Sequence, residues 1–280
     1  MSDLLSWSAL QPFGAKVDLD LSGDVSDAQC DELRCLFDEH HLLYFSEQSL
    51  SEADQAKVSS WFGPISERAL TVFDNSDPDV GMLADAELAF HSDLSCAPEP
   101  VVGLSLFGVD VGVGASPTRF IDAMAPALAL EPGLRRKLDG LHAMNLWPIK
   151  LGVRQRAANS PDNWPGTAHP VLKPHPRTGL PIIYVNASHT DRIVELSDRD
   201  SEALIKELFD LLYAESNMYE HHWRNGDFVV WDNLALQHAR PESPSRIPRK
   251  LQRAEIGTAD YRSQMPIELM AAYANSQELG

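Results

Sequence analysis

The stretch "GDFVVWDNLALQHARP", residues 226–241, carries both a fold signal and a chemical one. Gly226-Asp227 is a turn signal, and the β-branched and aromatic run Phe228–Trp231 after it reads as a short buried strand. Asp232 and Asn233 break the run, and a histidine, His238, follows among small and apolar residues. A second histidine lies far upstream in "ELAFHSDLSC", residues 87–96. If "AFHSD" is extended, side chains two apart share one side, so His91 and Asp93 project together while Ser92 faces away. Alone, such a pair reads as a hydrogen-bonded structural pair or part of a surface loop. The remote His238 supplies a third member.

Reading outward from these segments gives short strands with a few helices. "HLLYF" (41–45), "VVGLSLFGVDV" (101–111), "LPIIYVN" (180–186) and "RKLQRAEIG" (249–257) are β-branched or aromatic runs bounded by Gly, Pro, Asn or Asp. "SDAQCDELRCLFDEH" (26–40) opens with Ser26 three residues before Gln29, a capping-box spacing, and places Cys30, Leu33, Leu36 and Phe37 on one helical face. "SLSEADQAKVSSWFG" (49–63) reads as a second helix capped by Ser49 or Ser51 and stopped at Gly63-Pro64. A third lies in "SDRDSEALIKELFDLLYAE" (197–215), with Leu204, Ile205, Leu208, Leu211 and Leu212 as its core stripe. The expected fold is α+β, mainly β: a double-stranded β-helix, or jelly roll, with flanking helices.

The 280 residues are 44% hydrophobic, enough for one sizeable core, and no linker-like tract divides them, so 1–280 is expected to be a single domain. Lys and Arg number 23 against 41 Asp and Glu, a net charge of −18 that argues against nucleic acid or anionic membrane as partner. No basic leader or apolar run of about 20 residues stands out, so the protein is expected to be cytoplasmic. Cys30, Cys35 and Cys96 have no CxxC spacing and are expected to be buried or idle thiols. The sequence leaves a homodimer or homotetramer open.

Two histidines and one carboxylate form the facial triad of non-heme Fe(II) oxygenases, which leaves three metal positions open for a co-substrate and O2. Such an iron commonly takes a 2-oxo acid, whose far carboxylate needs a cation, best an arginine. "PSRIPRKLQRAEIG" (244–257) supplies Arg249 and Arg253, four apart and so on one side of a strand, and an eleven-residue return from His238 suits a hairpin. Each arginine alone reads equally as a surface ion pair.

The chain resembles the taurine dioxygenase/2,4-dichlorophenoxyacetate dioxygenase family of Fe(II)/2-oxoglutarate-dependent oxygenases over nearly its whole length. "LLYFSEQSLSEADQAKVSSWFGPI" (42–65) is similar to the family's N-terminal strand-helix element. "FHSD" (90–93) matches the HxD motif, "AHPVLKPHPRTGLPIIYVN" (168–186) the His-Pro to Tyr-Val-Asn segment, and "GDFVVWDNLALQHAR" (226–240) the WDN and second-histidine motif. The resemblance implies His91, Asp93 and His238 as iron ligands, with 2-oxoglutarate and O2 as co-substrates. It implies Arg249 and Thr118, in "GASPTRFIDAM" (114–124), as holders of the distal carboxylate of 2-oxoglutarate. Arg253 falls where the family often has a second arginine, near the oxo-acid's other end or an anionic substrate. Retention of Asp93 disfavours halogenation, because related halogenases carry a small residue there.

The implied reaction is hydroxylation of an unactivated C–H bond of a small organic substrate, expected to bear an anionic group, with release of succinate and CO2. A larger, neutral, natural-product-like substrate (hydroxylated or desaturated), a non-catalytic jelly-roll binding protein and a zinc hydrolase are the alternatives. Glu87 stands where taurine dioxygenase has Asn, which speaks against taurine; it reads as an acceptor for a substrate amine or hydroxyl, or as a solvated loop carboxylate. Phe90 reads as a pocket wall or as packing. His169 is expected to be structural, and one at most of His221 and His222, and of His40 and His41, to be buried. Residues 147–167, polar and rich in turn formers, read as an active-site lid or an oligomer contact.

Overall fold

The computed structural model describes residues 4–65, 70–75, 87–148, 154–160, 163–241, 247–258, 264 and 267. In chain order its first elements are β1 (Ser6–Ala9), β2 (Ala15–Asp18), α1 (Asp27–His40), β3 (Leu42–Phe45), α2 (Glu52–Ser60), β4 (Leu70–Asp74), β5 (Leu88–His91), β6 (Gly103–Val111) and β7 (Thr118–Asp122). Then come α3 (Ala125–Leu128), α4 (Pro132–Leu138), β8 (His142–Leu146), β9 (Gly166–Pro170), β10 (Leu172–Pro174), β11 (Pro181–Ile183) and β12 (Thr190–Ile193). The last are α5 (Asp198–Leu212), β13 (Met218–His221), β14 (Phe228–Asp232), β15 (Leu236–Arg240) and β16 (Arg249–Ile256).

Strand alternation builds the layers. In β14, Phe228 and Val230 point to one face of a seven-stranded sheet of order β1-β2-β3-β14-β6-β16-β4, and Val229 and Trp231 to the other. The first face packs with Leu43, Phe45 and Phe107 against Leu33, Leu36 and Phe37 of α1 and Val58 of α2. Each such buried side chain contributes about 1.5–3 kcal/mol. The second face carries Leu104, Leu106, Trp231 and Leu251 onto Phe120 and Leu236 of a four-stranded sheet, β13-β7-β15-β5. The candidate site opens between these two sheets. Behind the smaller sheet, α5 buries Leu204, Ile205, Leu208 and Leu212 with Ile121 and Leu234.

Local chemistry fixes the helices. Ser26 and Gln29 form the expected capping box of α1, and Ser51 with Asp54 forms another on α2, which selects Ser51 rather than Ser49 as its cap. α1 stops where His41 turns left-handed, at φ 62°, and donates its amide to the Phe37 carbonyl. Leu211, expected in the α5 stripe, is 39% exposed, because it lies at the edge of the buried face, about 20° beyond Leu204 on the side away from Ile205 and Leu212. The return from His238 to Arg249 is not a hairpin: β15 belongs to the smaller sheet and β16 to the larger, so the chain crosses between sheets. Both strands therefore face one gap from opposite sides.

Candidate active site

In the smaller sheet β15 pairs with β5 so that His238 lies directly opposite His91. Asp93 follows two residues after His91, just past the strand end. The Asn233 side chain holds it there, accepting from the Asp93 amide at 2.8 Å and donating to the Asp93 carbonyl at 2.9 Å. Asn233 also donates to the Val101 carbonyl at 2.7 Å. The neighbouring Asp232 shapes the turn out of β14, its Oδ1 accepting from the Leu234 and Ala235 amides.

One nitrogen of each histidine and one carboxylate oxygen of Asp93 converge within 4.8 Å. His91 Nε2 is 3.2 Å and His238 Nε2 3.5 Å from Asp93 Oδ1, with the three side chains 14–17% exposed. His91 Nδ1 lies 2.8 Å from the Ala89 carbonyl, which only accepts, so the neutral ring carries its hydrogen there and its lone pair at Nε2. Burial, then the charges of His91 and Arg253, push His238 down to about 3 despite Asp93, so it is neutral at ordinary pH. At 3.5 Å its contact with Asp93 is too long for a useful hydrogen bond. Two imidazole nitrogens and a carboxylate oxygen thus converge on one point, an arrangement that a cation stabilises. Two histidines and one carboxylate suit Fe(II).

Arg253 enters from β16 in the opposite sheet. Its Nη2 pairs with Asp93 Oδ2, and its Nη1 with Glu255 Oε1 at 2.5 Å. Burial opposes the charge on Asp93, but Arg253 outweighs it and holds the carboxyl well below the usual range. Deeper on the same strand, Arg249 is buried; its Nε donates to the Ser116 carbonyl at 2.9 Å and its Nη2 to Thr118 Oγ1 at 3.1 Å. Thr118 Oγ1 also accepts from Trp223 Nε1 at 2.9 Å. With both lone pairs used, the Thr118 hydroxyl keeps its hydrogen for a third partner. Among the described residues Arg249 makes no salt bridge. Burial, with the like charge of Arg240, lowers its pKa to about 9. A buried cation of this kind calls for an anion.

These groups share a cavity of about 470 Å³, walled also by Phe73, Leu106, Trp231 and Leu251. A model described as "Taurine catabolism dioxygenase TauD, TfdA family" matches residues 6–254. The chain belongs to that family. It is a 2-oxoglutarate-dependent dioxygenase, and TauD/TfdA enzymes work with Fe(II), 2-oxoglutarate and O2. It is similar to an (S)-phenoxypropionate/alpha-ketoglutarate-dioxygenase of Sphingobium herbicidovorans, 28% identical over 81% of this chain and 85% of the relative. Pentalenolactone F synthase of Streptomyces avermitilis is 24% identical over 79% and 83%. A solved structure of a taurine dioxygenase from Burkholderia xenovorans superposes with a TM-score of 0.77 over 91% of each chain at 22% identity, which establishes a shared fold.

Within this TauD/TfdA chain, His91, Asp93, His238, Thr118, Arg249 and Arg253 all line the one cavity. Glu87 is exposed and Phe90 stacks on Tyr213 with centroids 4.9 Å apart; neither is among the cavity's lining residues. His169 is structural, its Nε2 2.9 Å from the Ala97 carbonyl. His221 is buried while the His222 side chain is 74% exposed. Of the segment 147–167, Trp147 and Pro148 reach the cavity, while residues 149–153, 161 and 162 lie outside the described residues. Sequence reasoning passed over Arg240, Glu255 and His189. The first two were within reach, since Arg240 lies two residues past His238, and Glu255 two past Arg253, on strands whose alternate positions face the gap. His189 comes from a loop and left no periodic signal. No helix among the described residues is long and apolar enough to cross a membrane.

Proposed function

We propose that the enzyme hydroxylates an unactivated C–H bond of a small organic substrate bearing one anionic group, with 2-oxoglutarate and O2 converted to succinate and CO2. One oxygen atom goes to succinate and the other to the product alcohol. The observation that carries this reading is Arg249: a buried guanidinium without an acid among the described residues, bonded to a threonine with a hydroxyl hydrogen to give, in the same cavity as two histidines and an aspartate.

In this reading His91, Asp93 and His238 hold Fe(II), which when bound supplies the centre for O2 activation coupled to decarboxylation of the oxo-acid. Arg249 and Thr118 take the distal carboxylate. Arg253 keeps Asp93 ionised and oriented. Leu106, Trp231 and Leu251 exclude water from the reacting carbon. The two packed sheets are read as a double-stranded β-helix within a single domain spanning 1–280, and the three unpaired cysteines suit the cytoplasm.

Charge supports the substrate class. The relative named for (S)-phenoxypropionate takes a carboxylate, and the cavity of this chain is lined by Arg249 and Arg253. One observation favours the neutral, natural-product-like reading: Arg253 is already paired with both acids. A panel of carboxylates, sulfonates, alkyl sulfates and neutral hydrophobes, scored by succinate release and a product 16 mass units heavier, separates the two. Arg249→Ala should raise the 2-oxoglutarate requirement about 10- to 100-fold while leaving the substrate requirement nearly unchanged. An unaltered 2-oxoglutarate titration would show that another cation binds the oxo-acid.

A further inference from the structure

Trp223 is buried and is not among the residues that line the cavity, yet its indole reaches one of them from behind. β13 pairs with β7 so that His221 lies opposite Thr118, and Trp223 follows His221 by two residues. The indole stands edge-on to the His221 ring, centroids 4.5 Å apart and planes at 79°, and packs in the cluster that holds Leu106, Phe120 and Leu251. Its Nε1 donates to Thr118 Oγ1 at 2.9 Å, and Arg249 Nη2 donates to the same oxygen at 3.1 Å. A hydroxyl oxygen has three directions beyond its bond to carbon, one for its hydrogen and two for lone pairs. An indole N–H and a guanidinium can only donate, so together they take both lone pairs. The hydrogen is left a single direction.

We infer that Trp223 is a positioning residue for the co-substrate: by occupying the second lone pair of Thr118, its Nε1 commits the Thr118 hydroxyl to donating to the distal carboxylate of 2-oxoglutarate. This rests on the reading of Arg249 and Thr118 as the holders of that carboxylate. Without the indole N–H, rotation about the Cβ–Oγ1 bond gives the hydroxyl hydrogen two directions, and the freed lone pair can accept from water or another donor. With it, Thr118 presents a hydrogen and no lone pair, which matches a carboxylate, a group that only accepts. Trp223 acts through Thr118, as groups behind a ligand set its orientation.

The test is a double-mutant cycle, read by titrating 2-oxoglutarate into the anaerobic Fe(II) enzyme and following the weak visible band. Trp223→Phe, which keeps an aromatic ring but no donor, should raise the half-saturating 2-oxoglutarate concentration about 3- to 10-fold, with the band at full height at saturation. Thr118→Val should raise it about tenfold or more. In the Thr118→Val background, adding Trp223→Phe should change it less than about twofold, because the hydroxyl through which the indole acts is gone. Site-specific replacement of Trp223 by 3-benzothienylalanine, with sulfur in place of the N–H in a bicycle of nearly the same shape, should reproduce the rise and serves if Trp223→Phe does not fold. Additive effects of the two substitutions overturn the inference, since lost packing would weaken binding with or without the Thr118 hydroxyl. An unchanged titration with either replacement at position 223, while Thr118→Val and Arg249→Ala raise the requirement, overturns this inference alone. An unaltered titration in both Thr118→Val and Arg249→Ala brings down the wider reading instead, and this inference with it.

Discussion

Two aspartates of this chain each lie between an imidazole and a guanidinium, and they end in opposite states. Asp232 Oδ2 receives His175 Nε2 at 2.8 Å and Arg177 Nη2, while Oδ1 receives the Leu234 and Ala235 amides at 2.8 and 3.0 Å. The Asp232 and His175 side chains are fully enclosed. Asp93 gives one oxygen to Arg253 and turns the other toward two imidazole nitrogens, beside a cavity. The same three residue types make a closed joint when every carboxylate lone pair has a donor. They make a binding site when one carboxylate oxygen and two imidazole nitrogens are turned together toward a cavity.

The contrast breaks most sharply at the open trio. His91→Ala or His238→Ala should abolish the weak visible band of the anaerobic Fe(II)/2-oxoglutarate protein, a loss larger than the roughly 10- to 100-fold that removing a supporting residue costs. Their folded stability should hold. A normal band in either variant would mean that the three side chains serve something other than metal.

At the closed trio the order of effects reverses. Asp232→Asn should lower unfolding stability by about 3–5 kcal/mol, read from a denaturant midpoint, because Arg177 loses its buried counter-charge. Burial alone would raise the Asp232 pKa, but the His175 hydrogen bond and the Arg177 charge bring it to about 2. Its folded value lies below its unfolded value of about 3.9, so its contribution is complete above about pH 4 and drains away as pH falls toward 2. Asp232→Asn should flatten that part of the acid-unfolding curve; an unchanged curve would show that the joint adds nothing.

The smallest effect is expected on the outer leg, where Arg177 Nε reaches Asp38 at 2.7 Å with side chains 30% and 41% exposed. Asp38→Asn should cost under about 1 kcal/mol in the same denaturant measurement, since solvent screens the pair. A loss comparable to that of Asp232→Asn would place the anchor of Arg177 outside the core.

Which parts could be read from residues alone follows the range of the forces involved. His91 and Asp93 were legible because alternation along one strand is local, and the capping boxes at Ser26 and Ser51 because they span three residues. The ends of the chain's reach were not: the sequence offers no sign that β15 and β16 lie in different sheets, since the residues between them look like any hairpin loop. α3 and α4 escaped because Ala125–Leu128 and Pro132–Leu138 have no side-chain cap and are too short to show a periodic apolar face. The closed trio was invisible for another reason. His175, Arg177 and Asp232 meet only through folding of segments more than fifty residues apart, and nothing in "KPHPRTG" differs from an ordinary polar turn.

The strand order of the larger sheet has a consequence for how the chain is made. β6 lies between β14 and β16 and pairs with no other strand, yet about 117 residues separate its last residue from the first of β14. At about 5–20 residues per second, a ribosome needs roughly 6–23 s to supply the neighbour. For that interval Leu104, Leu106 and Phe107 have neither a partner strand nor the aromatic cover of Phe228 and Trp231, and both edges of the strand are open to other nascent chains. A central strand of the finished sheet is thus unpaired on both edges during synthesis, so translation speed and chaperone supply bear on its fate alongside the stability of the folded protein.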